Sequence, residues 1–307
     1  MRNFLHLCYI PFTGLGLKGG YRGDDWFRYR IELFKNYTLK SLLNQTCRDF
    51  VIWISFRPEE KENPITKDFA AYMDKTGQPY IFTFHGLCFY DDKFKDEENL
   101  LRRLKATLPE LKLEKTQYIF ETLQPSDDVY HLNAIKTIQE QQSRQGAMVH
   151  QKGLIWNKQT QRLADWQPLT CPPFYTIIYP SEVFFDPQKH YDFVKGFKSH
   201  EDIPKLFDCV RLPDHGYCVL VHSKNISTNW YNPFRGKVYS WEKGKEILKQ
   251  FGIETTSEKS EALELKAFLW YNIRKVLIAI KIYKIAKIIK NKIEVCLIKK
   301  SNTIKRQ

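Results

Sequence analysis

Two adjacent carboxylates, Asp127 and Asp128, close the run Tyr118-Ile119-Phe120-Glu121-Thr122-Leu123-Gln124-Pro125-Ser126. An acidic pair at the end of an apolar strand can hold a hard cation such as Mg²⁺ or Mn²⁺ and, through it, the phosphates of a substrate. Open α/β sheets present such groups at the carboxyl ends of their strands. Two neighbouring carboxylates repel each other unless a cation or hydrogen-bond donor offsets the charge, which also points to a ligand. The competing reading is structural: Asp is favoured at helix N-caps, and a helical pattern follows from Leu132 to about Gln141.

Other residues could complete a site. His222 ends the apolar run Tyr217-Cys218-Val219-Leu220-Val221, where it is either a ligand or a hydrogen-bonded core histidine. Glu201, with Asp202 as alternate, is the candidate general base that takes a proton from an attacking hydroxyl. The same segment also reads as a helix start, with Ser199 as N-cap and Asp202 three residues on. Arg28 and Arg30 follow a glycine-rich loop (Gly14, Gly16, Gly19, Gly20, Gly23) and could meet phosphates. Arg28 is the nominated nucleotide contact, together with Phe12 at the end of the first strand and Asp127. Trp156, Trp166, Tyr175 and Tyr179 form an aromatic set on which a sugar acceptor could stack, Trp166 and Tyr179 being the nominated pair.

These residues need a scaffold that alternates strands and helices. The apolar runs at the N-terminus, at 50–56, 80–84 and 118–123 have strand length and no polar alternation, as expected of strands buried on both faces. Helical patterns run through Trp26 to Leu43, over 64–78, through Leu100, Leu101, Leu104 and Leu108, and from Leu132. The order predicts an α/β fold with a mostly parallel central sheet flanked by helices. From Gly153 to Trp166 two apolar runs flank a polar turn, a hairpin signature. Phe174–Tyr179 reads as a strand that Val183–Phe185 continue past Pro180, and 217–222 as the last strand.

Composition narrows the class. The chain has 307 residues, 43% hydrophobic and 15% aromatic, enough for a large core. Its net charge is +13, but residues 266–307 hold twelve Lys and Arg against the single Glu294, so +11 belongs to this tail and only +2 to the rest. Nucleic acid is therefore not an expected partner of the main domain. In the tail, Leu269, Ile273, Val276, Leu277, Ile280 and Ile288 recur near helical spacing among lysines and arginine, the pattern of a basic amphipathic helix on an anionic membrane surface, the alternative being a terminal helix docked on the domain. Seven cysteines without zinc-ligand spacing suit a reducing cytosol, and no run reaches the roughly 18 apolar residues of a membrane span. The expected location is cytoplasmic, peripheral at the inner membrane face.

The segment from Arg30 to Trp53, with its Tyr37-Thr38-Leu39, Ser41-Leu42 and Asn44-Gln45-Thr46 elements, resembles the opening of GT-A-type glycosyltransferases, and most closely a rhamnosyltransferase family. Asp127-Asp128, Ser199-His200-Glu201 and the block Val221-His222-Ser223-Lys224-Asn225-Ile226-Ser227 follow in that family's order, over roughly residues 1 to 235. The resemblance implies a GT-A-like domain over 1–265, with a nucleotide-binding half at 1–145, an acceptor half at 146–265 and the basic tail at 266–307. It further implies inverting, metal-assisted transfer of a sugar, rhamnose in the family's name, from a nucleotide-sugar donor to a glycan or lipid-linked acceptor. Asp128 and His222 would hold Mg²⁺ or Mn²⁺. The family pattern runs close to Thr-Arg-Leu-Asp-x-Asp-Asp, so Leu123 stands where it has Arg and Pro125 where it has its first Asp. A nucleotidyltransferase, and a membrane- or nucleic-acid-binding protein with a degenerate transferase domain, are the alternatives.

Overall fold

A computed structural model of the full chain describes residues 3–13, 22–84, 115–222, 225, 228–232, 234–255, 272, 273 and 276. The glycine-rich loop at 14–20, the helical pattern at 100–108 and nearly all of the basic tail lie outside these residues.

Among the described residues the main sheet has seven strands. Strands β1 (Phe4–Pro11), β2 (Val51–Phe56), β3 (Tyr80–Phe84) and β4 (Tyr118–Leu123) run parallel in the order β3-β2-β1-β4. The sheet continues through β9 (Tyr175–Pro180), antiparallel to β4, to β6 (Ala147–Val149) and β10 (Cys209–Arg211). Both faces of β1 are covered: Leu5, Leu7 and Tyr9 join one apolar cluster, Cys8 and Ile10 the other. Burial on both sides is why its sequence shows no polar alternation. A polar ladder crosses three strands: His6 Nε2 meets Thr122 Oγ1 at 2.7 Å, and that hydroxyl meets Thr176 Oγ1 at 2.7 Å.

A second sheet has, among the described residues, five strands, in the order Arg235–Val238, Arg162–Trp166, Gly153–Asn157, Tyr217–Val221, Val129–Tyr130. It contains the expected hairpin, β7 (Gly153–Asn157) and β8 (Arg162–Trp166), together with β11 (Tyr217–Val221), the two-residue β5 (Val129–Tyr130) and β12 (Arg235–Val238). This sheet corrects two expectations. β11 is not the last strand. Asp127 and Asp128 do not run straight into a helix but occupy the link by which the chain leaves the first sheet at Leu123 and enters the second at Val129.

Helix α1 (Asp24–Leu33) starts after Gly23, whose φ of 89° suits glycine, and continues as a π-helical stretch (Phe34–Leu39) into a short α-helical turn (Lys40–Leu43). The helix after the acidic pair spans Ala134–Glu140 with Asn133 as N-cap, so the aspartates are not its cap. Residues Ser181–Phe184 form a helical turn rather than extending β9, because Pro180 has no amide hydrogen for the ladder and starts a helix readily. Ser199 does cap the turn His200–Asp202: its hydroxyl accepts from the Glu201 amide, and Asp202 accepts from the Ser199 amide.

Candidate active site at the junction of the two sheets

The acidic link is braced before any ligand arrives. The Gln124 side chain donates to the carbonyls of Pro125, at 2.9 Å, and Asp128, at 3.0 Å, closing the loop on itself. The Tyr130 hydroxyl donates to the Leu123 carbonyl at 2.9 Å. Across the link, Asp128 Oδ1 accepts the Leu220 amide of β11 at 2.8 Å, which ties the pair to the second sheet.

Asp127 is met from two directions. Arg30 Nη1, from α1, donates to Asp127 Oδ2 at 2.8 Å, while Nη2 donates to Ser126 Oγ at 2.5 Å. His222 Nε2 lies 3.2 Å from the same Asp127 oxygen, and its Nδ1 lies 3.2 Å from the Tyr29 hydroxyl. His222 is held in turn by Asn225, whose side chain accepts the His222 amide and donates to the Leu220 carbonyl at 2.9 Å. Just past the end of β1, the Phe12 amide donates to the Ser55 carbonyl at 3.0 Å, and the Thr13 hydroxyl donates to the buried Glu60 at 2.5 Å.

The two carboxyls are driven apart in proton affinity. Burial works against ionisation of Asp127, but Arg30 and then His222 outweigh it and hold this carboxyl well below the usual range. Asp128 is pushed well up, first by burial and then by the charge of Asp127, against the weaker opposing pull of the Leu220 amide and Arg30. Unequal environments around a carboxyl pair are how one site keeps an anionic anchor beside a proton carrier.

These groups line one cavity of about 250 Å³. Phe12, Trp26, Trp166 and Phe174 supply aromatic wall, and Arg30, Ser126, Asp127, Asp128, Asn225 and Thr228 the polar lining. Trp26 packs near two guanidinium groups, Arg22 at 5.5 Å and Arg30 at 5.8 Å from the ring centre.

Of the residues nominated from sequence, Asp127, Asp128, Phe12 and Trp166 meet in this lining, and His222 reaches it through Asp127. The others do not. Tyr179 is fully buried in the main core, stacked on His190, because β9 turns it toward the helices that cover the sheet. Arg28 is exposed; Arg30, two residues on, is the arginine of the site. Asp202 is engaged as a cap and by Lys205 at 2.6 Å. Glu201 is exposed, accepts from Thr170 at 3.2 Å and does not line the cavity. Sequence reasoning also passed over Ser126, Trp26, Tyr29 and Asn225. One signal was available for Arg30: with Phe27, Ile31 and Phe34 it makes the buried stripe of the helix, and a charge on such a stripe needs a partner.

Among the described residues no group of three or more His, Cys, Asp or Glu side chains is disposed to hold a metal ion. Both ring nitrogens of His222 face protein partners, and Asp128 spends one oxygen on a backbone amide. The Asp128–His222 set does not fit a metal centre as it stands.

No family model and no curated protein matches the chain. Solved structures similar in part include the following. A protein assigned as a nucleotide-diphospho-sugar transferase from Desulfovibrio desulfuricans G20 is 16% identical over 70% of this chain and 81% of its own, with a TM-score of 0.32. The inositol-1-phosphate CTP transferase of T. maritima is 11% identical over 83% of this chain and 99% of its own, at 0.35. Residues 1–349 of S. aureus TarS, in complex with UDP, are 10% identical over 87% of this chain and 70% of that one, at 0.31. At so low a superposition these likenesses carry no functional argument, and the cavity stands on its own geometry.

Proposed function

We propose that the protein is a glycosyltransferase that moves a sugar from a nucleotide-sugar donor to a glycan or lipid-linked acceptor. The observation that carries this reading is the cavity beside the carboxyl ends of β1 and β4, where a buried arginine and two unequal carboxyls meet beneath aromatic walls. Arginine suits a diphosphate, and aromatic faces suit a base and a sugar ring. The resemblance of residues 30–53 to GT-A-type enzymes supports the same reading and makes rhamnose the first sugar to try.

In the proposed reaction the acceptor hydroxyl oxygen forms a bond to the anomeric carbon while the carbon–oxygen bond to the diphosphate breaks. The electron pair leaves with the nucleoside diphosphate. The hydroxyl proton must go to a nearby group, and Asp128, the member of the pair with the higher proton affinity, is the carboxyl suited to accept it. Asp127 remains ionised and keeps Arg30 and His222 in position. Trp166 would meet the acceptor.

Product analysis tests the reading. Incubation with a panel of nucleotide sugars is expected to release nucleoside diphosphate; release of pyrophosphate from a nucleoside triphosphate and a sugar phosphate would instead establish nucleotidyl transfer.

No helix among the described residues is long and apolar enough to cross a membrane. For the basic tail we propose attachment to an anionic membrane surface. Ile273 and Val276, both in helical conformation, are exposed, as an apolar face awaiting a partner would be. Deleting residues 266–307 is expected to abolish sedimentation with anionic vesicles while turnover of a soluble acceptor persists. Vesicle binding that survives the deletion would refute the assignment.

A further inference from the structure

Arg30 is 5% exposed, and a buried guanidinium must be both paired and hydrogen-bonded. It offers five N–H donors in a planar fork that matches carboxylate and phosphate oxygens. Nη1 is given to Asp127 and Nη2 to Ser126, but Nε is buried without a hydrogen-bond partner. Arg30 also lines the cavity, its guanidinium carbon 5.8 Å from the centre of the Trp26 ring. A fixed cation at the wall of a cavity, with N–H donors beyond the two it spends, is a seat for an anion.

One oxygen of each carboxyl is already engaged by the protein. Asp127 Oδ2 receives both Arg30 and His222, at 2.8 and 3.2 Å, and Asp128 Oδ1 receives the Leu220 amide at 2.8 Å. Pro125, which has no side-chain ligand atom, also lines the cavity. The Arg30–Asp127 pair cancels one charge against another, so the floor is not the doubly negative surface that repels a diphosphate until a metal neutralises it.

Resting on the nucleotide-sugar reading above, we propose that Arg30, rather than a bound Mg²⁺ or Mn²⁺, is the cation that receives the donor's diphosphate, so that donor binding at this site is independent of divalent metal. Arg30 is then a binding residue fixed in place by Asp127 and Ser126. The two acids of the sequence motif serve to hold that arginine and to carry a proton.

The test uses the full chain and a panel of nucleoside diphosphates (UDP, GDP, CDP, ADP and dTDP), with affinities measured by calorimetry in excess EDTA and again with Mn²⁺ or Mg²⁺. At least one diphosphate is expected to bind in EDTA, with affinity unchanged on adding metal. Arg30→Gln should weaken that binding by roughly 30-fold or more, and Arg30→Lys should restore part of the loss, since it returns the charge without the fork. Circular dichroism shows whether each variant is folded, and the EDTA comparison on the parent protein decides the question without them. Binding that appears only with metal and vanishes in EDTA would overturn the inference and leave the nucleotide-sugar reading standing. Parent-like binding by folded Arg30→Gln would do the same. Failure of every diphosphate to bind, with and without metal, would bring down both.

Discussion

Asp128→Asn is expected to reduce kcat/KM for sugar transfer by about 10²- to 10⁴-fold, the range in which a positioned proton acceptor contributes, while the protein stays folded. The replacement keeps an oxygen that can accept the Leu220 amide and keeps the shape of the side chain. It removes a carboxyl whose proton affinity is raised by burial and by Asp127. A carboxyl raised in this way contributes stability below its unfolded value and loses it as pH rises through the folded one, so at neutral pH the parent carries a cost that the variant lacks. The melting temperature of Asp128→Asn should therefore match or exceed the parent's at neutral pH, with the difference shrinking toward pH 4. Asp127→Asn should behave oppositely. It strips the carboxylate from the buried Arg30, and breaking such a pair costs about 3–5 kcal/mol, so this variant should melt early. The parent's kcat/KM should rise with pH as the upper titration of the pair is crossed, because the proton acceptor must be ionised to work. Full activity in Asp128→Asn would remove Asp128 from the mechanism.

The strands of the main sheet were legible because burial on both faces forces unbroken apolar runs; Tyr80–Phe84 is found where the sequence puts it, and 50–56 differs by one residue. The acidic link was legible as a place and misread as a connection. β5 is only Val129 and Tyr130, and what makes it a strand is its pairing with Cys218 and Tyr217 almost ninety residues later, which no local pattern can report. For the same reason the division into two sheets stayed hidden. Arg28 and Arg30 differ by two positions, a rotation of roughly 200° about a helix, which carries one guanidinium to solvent and the other to the acids. Choosing between them requires the phase of the helix, and the stripe of Phe27, Ile31 and Phe34 contains it. Tyr179 and Glu201 failed for lack of a third dimension: strand alternation says that Tyr179 shares a face with Ile177 and Tyr175, but not that helices cover that face.

The largest effect on stability is expected at Glu121, in the middle of β4. By strand alternation it stands between Ile119 and Leu123 on the face that packs the main core, fully buried, with neither carboxyl oxygen hydrogen-bonded. Burial pushes its carboxyl well above the usual range, so the folded protein holds the proton long after the unfolded chain has released it. The folded state binds more protons than the unfolded state across that window, and stability must fall as pH rises from about 4.5 through neutrality. Glu121→Gln has nearly the same shape and the same unmet hydrogen bonding as the protonated acid but cannot ionise. Its melting temperature should track the parent's near pH 4 and exceed it increasingly at higher pH, by roughly 2–4 °C for each kcal/mol of relieved cost in a domain of this size. Glu121→Leu also removes the buried polar group, so it should gain stability at every pH, including acid. Melting curves of the three proteins from pH 4 to 9 separate the contributions. Parallel parent and Glu121→Gln curves across that range would mean that Glu121 does not titrate there, and that its burial in the sheet is relieved by a partner or by water.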